Sequence, residues 1–309
     1  MSRERALKGA GEAGGAPSGL VIVDKPSGLT SHDVVARIRR LAGTRRVGHA
    51  GTLDPMATGV LVVGIGQATR ILGHLALTEK EYRGTIRLGQ ATDTDDAEGQ
   101  VIAEASAAGV TPDALRAAIA ALTGEIQQVP PGISAIKVGG QRAYRLTREG
   151  APPELAARPV TVSALDILDT RRSSGPAGQE LLDVDVHVTC SSGTYIRAIA
   201  RDLGAALGTG GHLTELRRTR VGPYLARDAA TLEELAESLR VVPLAQAAGA
   251  AFARRDLTAD EARRVGHGAR LPAVGAGAGP VAAFAPDGTL VALLTEESGQ
   301  ARSLAVFVG

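Results

Sequence analysis

The stretch Gly48-His49-Ala50-Gly51-Thr52-Leu53-Asp54-Pro55 decides how the rest of the chain is read. Its glycines permit a tight backbone path, and Pro55 stiffens the exit. An Asp before a Pro is by itself an ordinary turn residue, so the weight comes from what flanks it. Upstream, Leu20 to Val23 is a short apolar run stopped by Pro26 and Gly28, a strand entering a turn. Ser31 then reads as a helix N-cap, with Val34, Val35, Ile38 and Leu41 at helical spacing and Gly43 closing the helix. Arg37 and Arg40 lie on its opposite face. Downstream, the wholly apolar Val60–Val63 predicts a buried strand. Lys80 to Leu88 alternates, with Tyr82, Gly84, Ile86 and Leu88 on one face.

Further along, Thr111-Pro112 opens a helix through Leu122, because proline suits the first helical position. Residues 130–152 form a loop-rich insertion containing Lys137 and Tyr144. Val160–Leu168, Leu182–Val188 and Leu213–Val221 predict strands. Thr194–Leu207 is amphipathic, with Ile196, Ile199, Ala200 and Leu203 opposite Arg197 and Arg201. Thr231–Leu239 predicts a short helix. Beyond Ala250, Thr258 caps a helical piece over Asp260–Val265, and short strands follow at Val281–Ala283, Leu290–Leu294 and Leu304–Val308. Elements mixed without strict βαβ alternation argue against a doubly wound parallel sheet. The expectation is an α+β chain with a mixed, largely antiparallel sheet, flanking helices and a small C-terminal β-barrel-like module. Its parts are a disordered tail over 1–18, a main domain over 19–247 and the module over 248–309, with Ala247–Ala251 as linker.

Composition sets outer bounds. The chain has 309 residues, 44% of them hydrophobic, enough for real cores. The single Cys190 excludes an intramolecular disulfide and a multi-cysteine metal site. No run reads as a signal peptide or membrane span, which points to a cytoplasmic protein. A net charge of +1 carries no argument for nucleic acid; local clusters must, and two stand out, Arg37/Arg39/Arg40/Arg45/Arg46 and Arg217/Arg218/Arg220. Only four residues are lysine, and Lys25, Lys80 and Lys137 fall in the richest segments. Gly64-Ile65-Gly66 lacks the third glycine and the setting of a dinucleotide fingerprint. Asp93, Asp95, Asp96 and Glu98 do not fit a calcium loop and read as a polar turn.

The Asp54 loop resembles the signature of the TruB-type pseudouridine synthases, the bacterial tRNA pseudouridine-55 synthases. The resemblance extends over Val23-Asp24-Lys25-Pro26-Ser27-Gly28-Leu29-Thr30-Ser31, Lys80-Glu81-Tyr82-Arg83-Gly84 and Pro130-Pro131 through Ser134-Ala135-Ile136-Lys137 to Tyr144. It continues over Gly193-Thr194-Tyr195-Ile196-Arg197 to Gly204 and Leu216-Arg217-Arg218. These segments stand in family order over roughly residues 19 to 225. Ala50 departs from the family's common Thr.

The resemblance implies conversion of uridine to pseudouridine in the tRNA T-loop, without cofactor or metal. It makes Asp54 the catalytic carboxylate and Arg197 its partner, since a guanidinium favours a charged carboxylate and binds both its oxygens. Tyr82 would stack on the target base, Tyr195 pack beside the carboxylate and Leu216 form an apolar wall. His49 would fill the gap left when the base flips out. Lys25 and Pro26 would brace the loop, while Lys137 and the two arginine clusters contact phosphates. By position, the C-terminal module resembles a PUA domain binding the acceptor-stem side of tRNA. The chain would act as a monomer with no obligate protein partner. A guide-dependent subunit and a tRNA folding chaperone are the alternatives.

Overall fold

The computed structural model describes residues 17–132, 155–277 and 279–308, together with the backbone of 137, 138, 141 and 142. The chain opens with β1 (Gly19–Lys25), α1 (Ser31–Leu41), β2 (Val47–His49), β3 (Thr58–Ile65) and α2 (Leu72–Leu75). Next come β4 (Lys80–Leu88), the small pair β5 (Gln90–Thr92) and β6 (Val101–Glu104), α3 (Pro112–Ala121) and β7 (Gly124–Gln128). A minimal hairpin, β8 (Lys137–Val138) with β9 (Gln141–Arg142), precedes β10 (Arg158–Ser174) and β11 (Glu180–Cys190). Helix α4 (Ile196–Ala206), β12 (Gly211–Val221), β13 (Tyr224–Leu225), α5 (Leu232–Glu237), β14 (Val242–Pro243) and α6 (Leu244–Ala251) follow. The C-terminal part holds β15 (Ala253–Asp256), α7 (Ala259–Gly266), β16 (Leu271–Pro272), β17 (Val281–Phe284), β18 (Leu290–Glu297) and β19 (Gln300–Val306).

The large sheet runs β14-β1-β3-β12-β4-β11-β10-β7, with β2 on β3 and β13 on β12. Its pairs are antiparallel except β3 with β12, so the sheet is mixed and largely antiparallel, as expected. Alternation decides the faces. Val21 and Val23, Leu61 and Val63, Ile86 and Leu88, and Val184, Val186 and Val188 face α1, α3, α4 and α5 in one core. Leu20, Ile22, Val60 and Val62 face the other way. Where β3 meets β12, Gly59 has φ +97, and a Cβ there would lie 2.2 Å from the Arg218 carbonyl oxygen. Only glycine lets these backbones pass so closely.

The five C-terminal strands pair as β15-β17-β18-β19-β16. They do not hang from a linker. Ala247 and Ala248, expected in one, are fully buried on α6. There they join Leu20, Ile22, Val60 and Val62 and the C-terminal Phe284, Leu290, Leu293 and Ala305 in one apolar cluster. A small-residue run reads as a linker in sequence; here small side chains let a helix sit close between two sheets. Residues 1–16 of the expected tail lie outside the described residues. Ser18 is docked: its hydroxyl accepts from the Gln67 N–H at 2.9 Å. Most of the 130–152 insertion, with Tyr144 and the Lys137 side chain, also lies outside them. Among the described residues no helix is long and apolar enough to cross a membrane.

Candidate active site

The Asp54 loop is built from below. Thr30, not Ser31, caps α1, in a capping box with Asp33. Ser31 is thereby free to hold the loop. Its buried hydroxyl accepts from Leu53 N–H at 2.9 Å and donates to Leu53 O at 3.1 Å. Lys25 is fully buried, and its ammonium donates to the carbonyls of Pro26, Leu29 and Pro55 at 2.8, 2.7 and 3.1 Å. All three of its N–H bonds are thus taken. Burial lowers the Lys25 ammonium to about 8, with Asp54 opposing the shift. From the far side, Arg218 donates to the carbonyls of Val60, Thr52 and Gly51. These cations tie down both ends of the loop. Arg218, expected among the phosphate contacts, is fully buried.

Asp54 then meets Arg197, the second residue of α4. The guanidinium Nε donates to Oδ2 at 3.0 Å and Nη2 to Oδ1 at 3.1 Å. Its Nη1 donates to Thr94 O at 2.9 Å and stands 3.3 Å from Asp96 Oδ2. Asp54 is 34% exposed while Arg197 and Asp96 are 6% and 4%, so the reactive-looking carboxylate is the open member of the trio. One turn on, Arg201 reaches Asp95 at 3.2 Å and Val129 O at 2.8 Å. The polar face of α4 therefore meets the acidic turn, and Arg201 is not the free surface residue its spacing suggested. Nor is that turn mere solvent-facing polarity: Asp96 is part of the site. The signal was the pairing of two carboxylates with two arginines four apart, visible only once distant segments meet.

A cavity of about 660 Å³ opens over Asp54, lined by Tyr82, Tyr195, Arg197, Leu216, Lys80 and Arg218 among others. Tyr82 is buried, and burial raises its phenol against the opposing Arg218 charge. Tyr195 starts α4, held by Gln128: its N–H donates to Oε1 at 2.8 Å and its carbonyl accepts from Nε2 at 3.1 Å. His49 ends β2 rather than sitting in open loop. It is half-buried, with its Nδ1 buried and unpartnered among the described residues, and the His32 ring stands edge-on at 5.6 Å. Burial, then His32 and Arg218, lower its pKa, which favours a neutral ring.

The two arginine clusters separate. Arg217 pairs with Asp24 at 2.7 Å, and Arg220 with Glu79 and Glu81 at 2.8 and 2.7 Å; these two are internally neutralised, while Arg218 is held by carbonyls. The side chains of Arg37, Arg40 and Arg45 make no hydrogen bond or ion pair among the described residues.

Comparison with known proteins matches this architecture. A family model for the TruB family pseudouridylate synthase N-terminal domain matches residues 39–196. Models for the tRNA pseudouridylate synthase B C-terminal domain and for the C-terminal part of tRNA pseudouridine synthase II match 197–245 and 252–308. The tRNA pseudouridine synthase B of Thermobifida fusca (strain YX) is 62% identical over 291 residues, covering 94% of this chain and 99% of that protein. That of Mycobacterium ulcerans (strain Agy99) is 55% identical, covering 99% of this chain and 98% of that protein. A chain in the structure of an H/ACA RNP bound to a substrate RNA containing 2′-deoxyuridine is 26% identical, with TM-score 0.68, covering 94% of this chain and 84% of that one. Fold and site thus define a pseudouridine-forming isomerase. The chain belongs to the TruB family of pseudouridylate synthases.

Proposed function

We propose that this chain converts uridine 55 in the T-loop of tRNA to pseudouridine, with Asp54 as the catalytic carboxylate and no cofactor. The observation that carries the reading is the two-point grip of Arg197 on Asp54 at the floor of the cavity. The reaction breaks the C1′–N1 bond, turns the base and rejoins it through C5, with no net oxidation. Asp54 acts on the ring or on the sugar as nucleophile or base, aimed by Arg197. Tyr82 stacks on the flipped base, Tyr195 and Leu216 wall the cavity, and Lys25 braces the loop. The neutral His49 ring fills the gap in the RNA stack. Lys137 and the unneutralised arginines of α1 hold phosphates.

Relatives named tRNA pseudouridine synthase B over nearly their whole length support tRNA as substrate; on this reading the chain acts as a stand-alone, cytoplasmic monomer. The residues from 248 onward act as a PUA-like RNA-binding domain on the acceptor-stem side, behind a catalytic domain over 19–247. The test is tritium release from tRNA labelled at uridine C5, comparing the native chain with Asp54→Asn, followed by mapping of the modified position. Release by the native chain alone, mapped to position 55, is expected. Release by both would remove Asp54 from the chemistry; release by neither, with tRNA still bound, would favour a folding chaperone or a guide-dependent subunit.

A further inference from the structure

Besides Arg197, three buried cations surround the site among the described residues, and their bonding differs. Lys25 has donated all three N–H bonds to carbonyls. Arg218 has donated to three carbonyls of the loop and β3. Lys80 is only 6% exposed and lines the cavity beside Tyr82. It donates to Ala76 O at 2.8 Å and Thr78 O at 2.7 Å. An ammonium has three N–H bonds, so one has no acceptor among the described residues. No carboxylate pairs with it there either. Its cross-strand neighbour is Cys190, whose thiol burial pushes up to about 11, so no thiolate balances the charge. A buried charge without a partner is costly, and the open side of this one is the cavity.

We propose that Lys80 is a further catalytic residue: its ammonium takes up the negative charge that develops on the uracil ring when the C1′–N1 bond breaks. This rests on the function proposed above. When that bond breaks, its electron pair leaves with N1, and the ring becomes an anion spread over N1 and the ring oxygens. The sugar is balanced by a C2′ proton passing to Asp54 or by a bond from Asp54 to C1′. C5 then attacks C1′ as the Asp54–C1′ bond breaks or as C2′ regains its proton from Asp54; the C5 proton leaves to a base and N1 takes up a proton. On either route the detached ring is anionic in between, and a fixed cation at its edge lowers the barrier because it needs no reorganisation. Lys80 comes from the same strand as Tyr82, so one element supplies both the stacking face and the charge.

The test uses Lys80→Met in the full chain, with tRNA carrying uridine or 5-fluorouridine at the target position. Fluorine withdraws electrons and stabilises the departing ring anion by itself, so it lessens the need for Lys80. Single-turnover conversion to the C5-linked nucleoside is followed by nuclease digestion and mass. Native conversion of the uridine tRNA, measured first, checks the underlying function independently. Lys80→Met is expected to slow the uridine substrate by about ten- to a hundredfold and the fluorinated one severalfold less. Because both substrates meet the same preparation, incomplete folding cancels from that ratio. Equal slowing of both substrates overturns the proposal. So does a raised KM with unchanged kcat, which would make Lys80 a phosphate contact.

Discussion

Arg197 grips Asp54 by both carboxylate oxygens while its third nitrogen is tied to Thr94 O and Asp96. The guanidinium is therefore locked in plane by one segment and aims the carboxylate of another. A lysine supplies charge but not a fork. Arg197→Lys is expected to lower kcat by about ten- to a hundredfold with little change in KM, measured by tritium release at saturating tRNA.

Lys25 ties Pro55 to the turn after β1, and its pKa falls from 10.5 to about 8 on folding. The unfolded chain thus holds the extra proton between about pH 8 and 10.5. Where the unfolded state binds more protons, stability rises with pH. Below about 8 the burial cost of the charged amine is present in full; above 10.5 it is gone. The stability of the native chain relative to Lys25→Met should therefore increase from pH 7.5 to pH 10, read as the difference in urea midpoints. A difference that stays flat or falls contradicts the assignment.

Arg37, Arg40 and Arg45 carry charge that no ion pair among the described residues cancels. Reversing Arg37 and Arg40 to Glu is expected to raise KM for tRNA with kcat unchanged. The slope of log KM against log salt should fall by about 0.7–0.9 for each phosphate the variant no longer neutralises. Arg217→Glu should act differently: it sets two carboxylates against each other at the Asp24 pair, so thermal stability falls before salt dependence does.

Phe284 is 2% exposed in the cluster shared by the two sheets, with Arg254 over its ring at 4.0 Å. Phe284→Ala should cost about 3–5 kcal/mol and lower one cooperative transition, seen by calorimetry. If only a separate low-temperature transition moves, the two sheets do not share a core energetically.

Much of this site was legible in the chain. Asp54, Arg197, Tyr82, Tyr195 and Leu216 were named from their segments, and the cavity brings them together. Lys80 was noted as a rare lysine at the head of the Tyr82 segment and given no role, and Asp96 was set aside as turn polarity. Both omissions have one cause: burial of a polar group depends on what packs over it, and local spacing is silent about that.

Local patterning along the chain set the elements. Period-two alternation set the inner faces of β4 and β11, helical spacing set the buried stripes of α1 and α4, and glycines marked where the chain turns. These are short-range effects of side-chain direction and backbone freedom. Long-range packing separated the cations that hold the fold from those without an ion pair among the described residues. It buried Arg218 against β3, neutralised Arg217 and Arg220 and left Arg37 without an ion pair among the described residues, all from similar-looking arginines. It also set α6 into a core where a linker was expected. Charge and burial are properties of the neighbours that folding supplies, and residues 24 and 217 or 54 and 197 become neighbours only when the sheet closes between them.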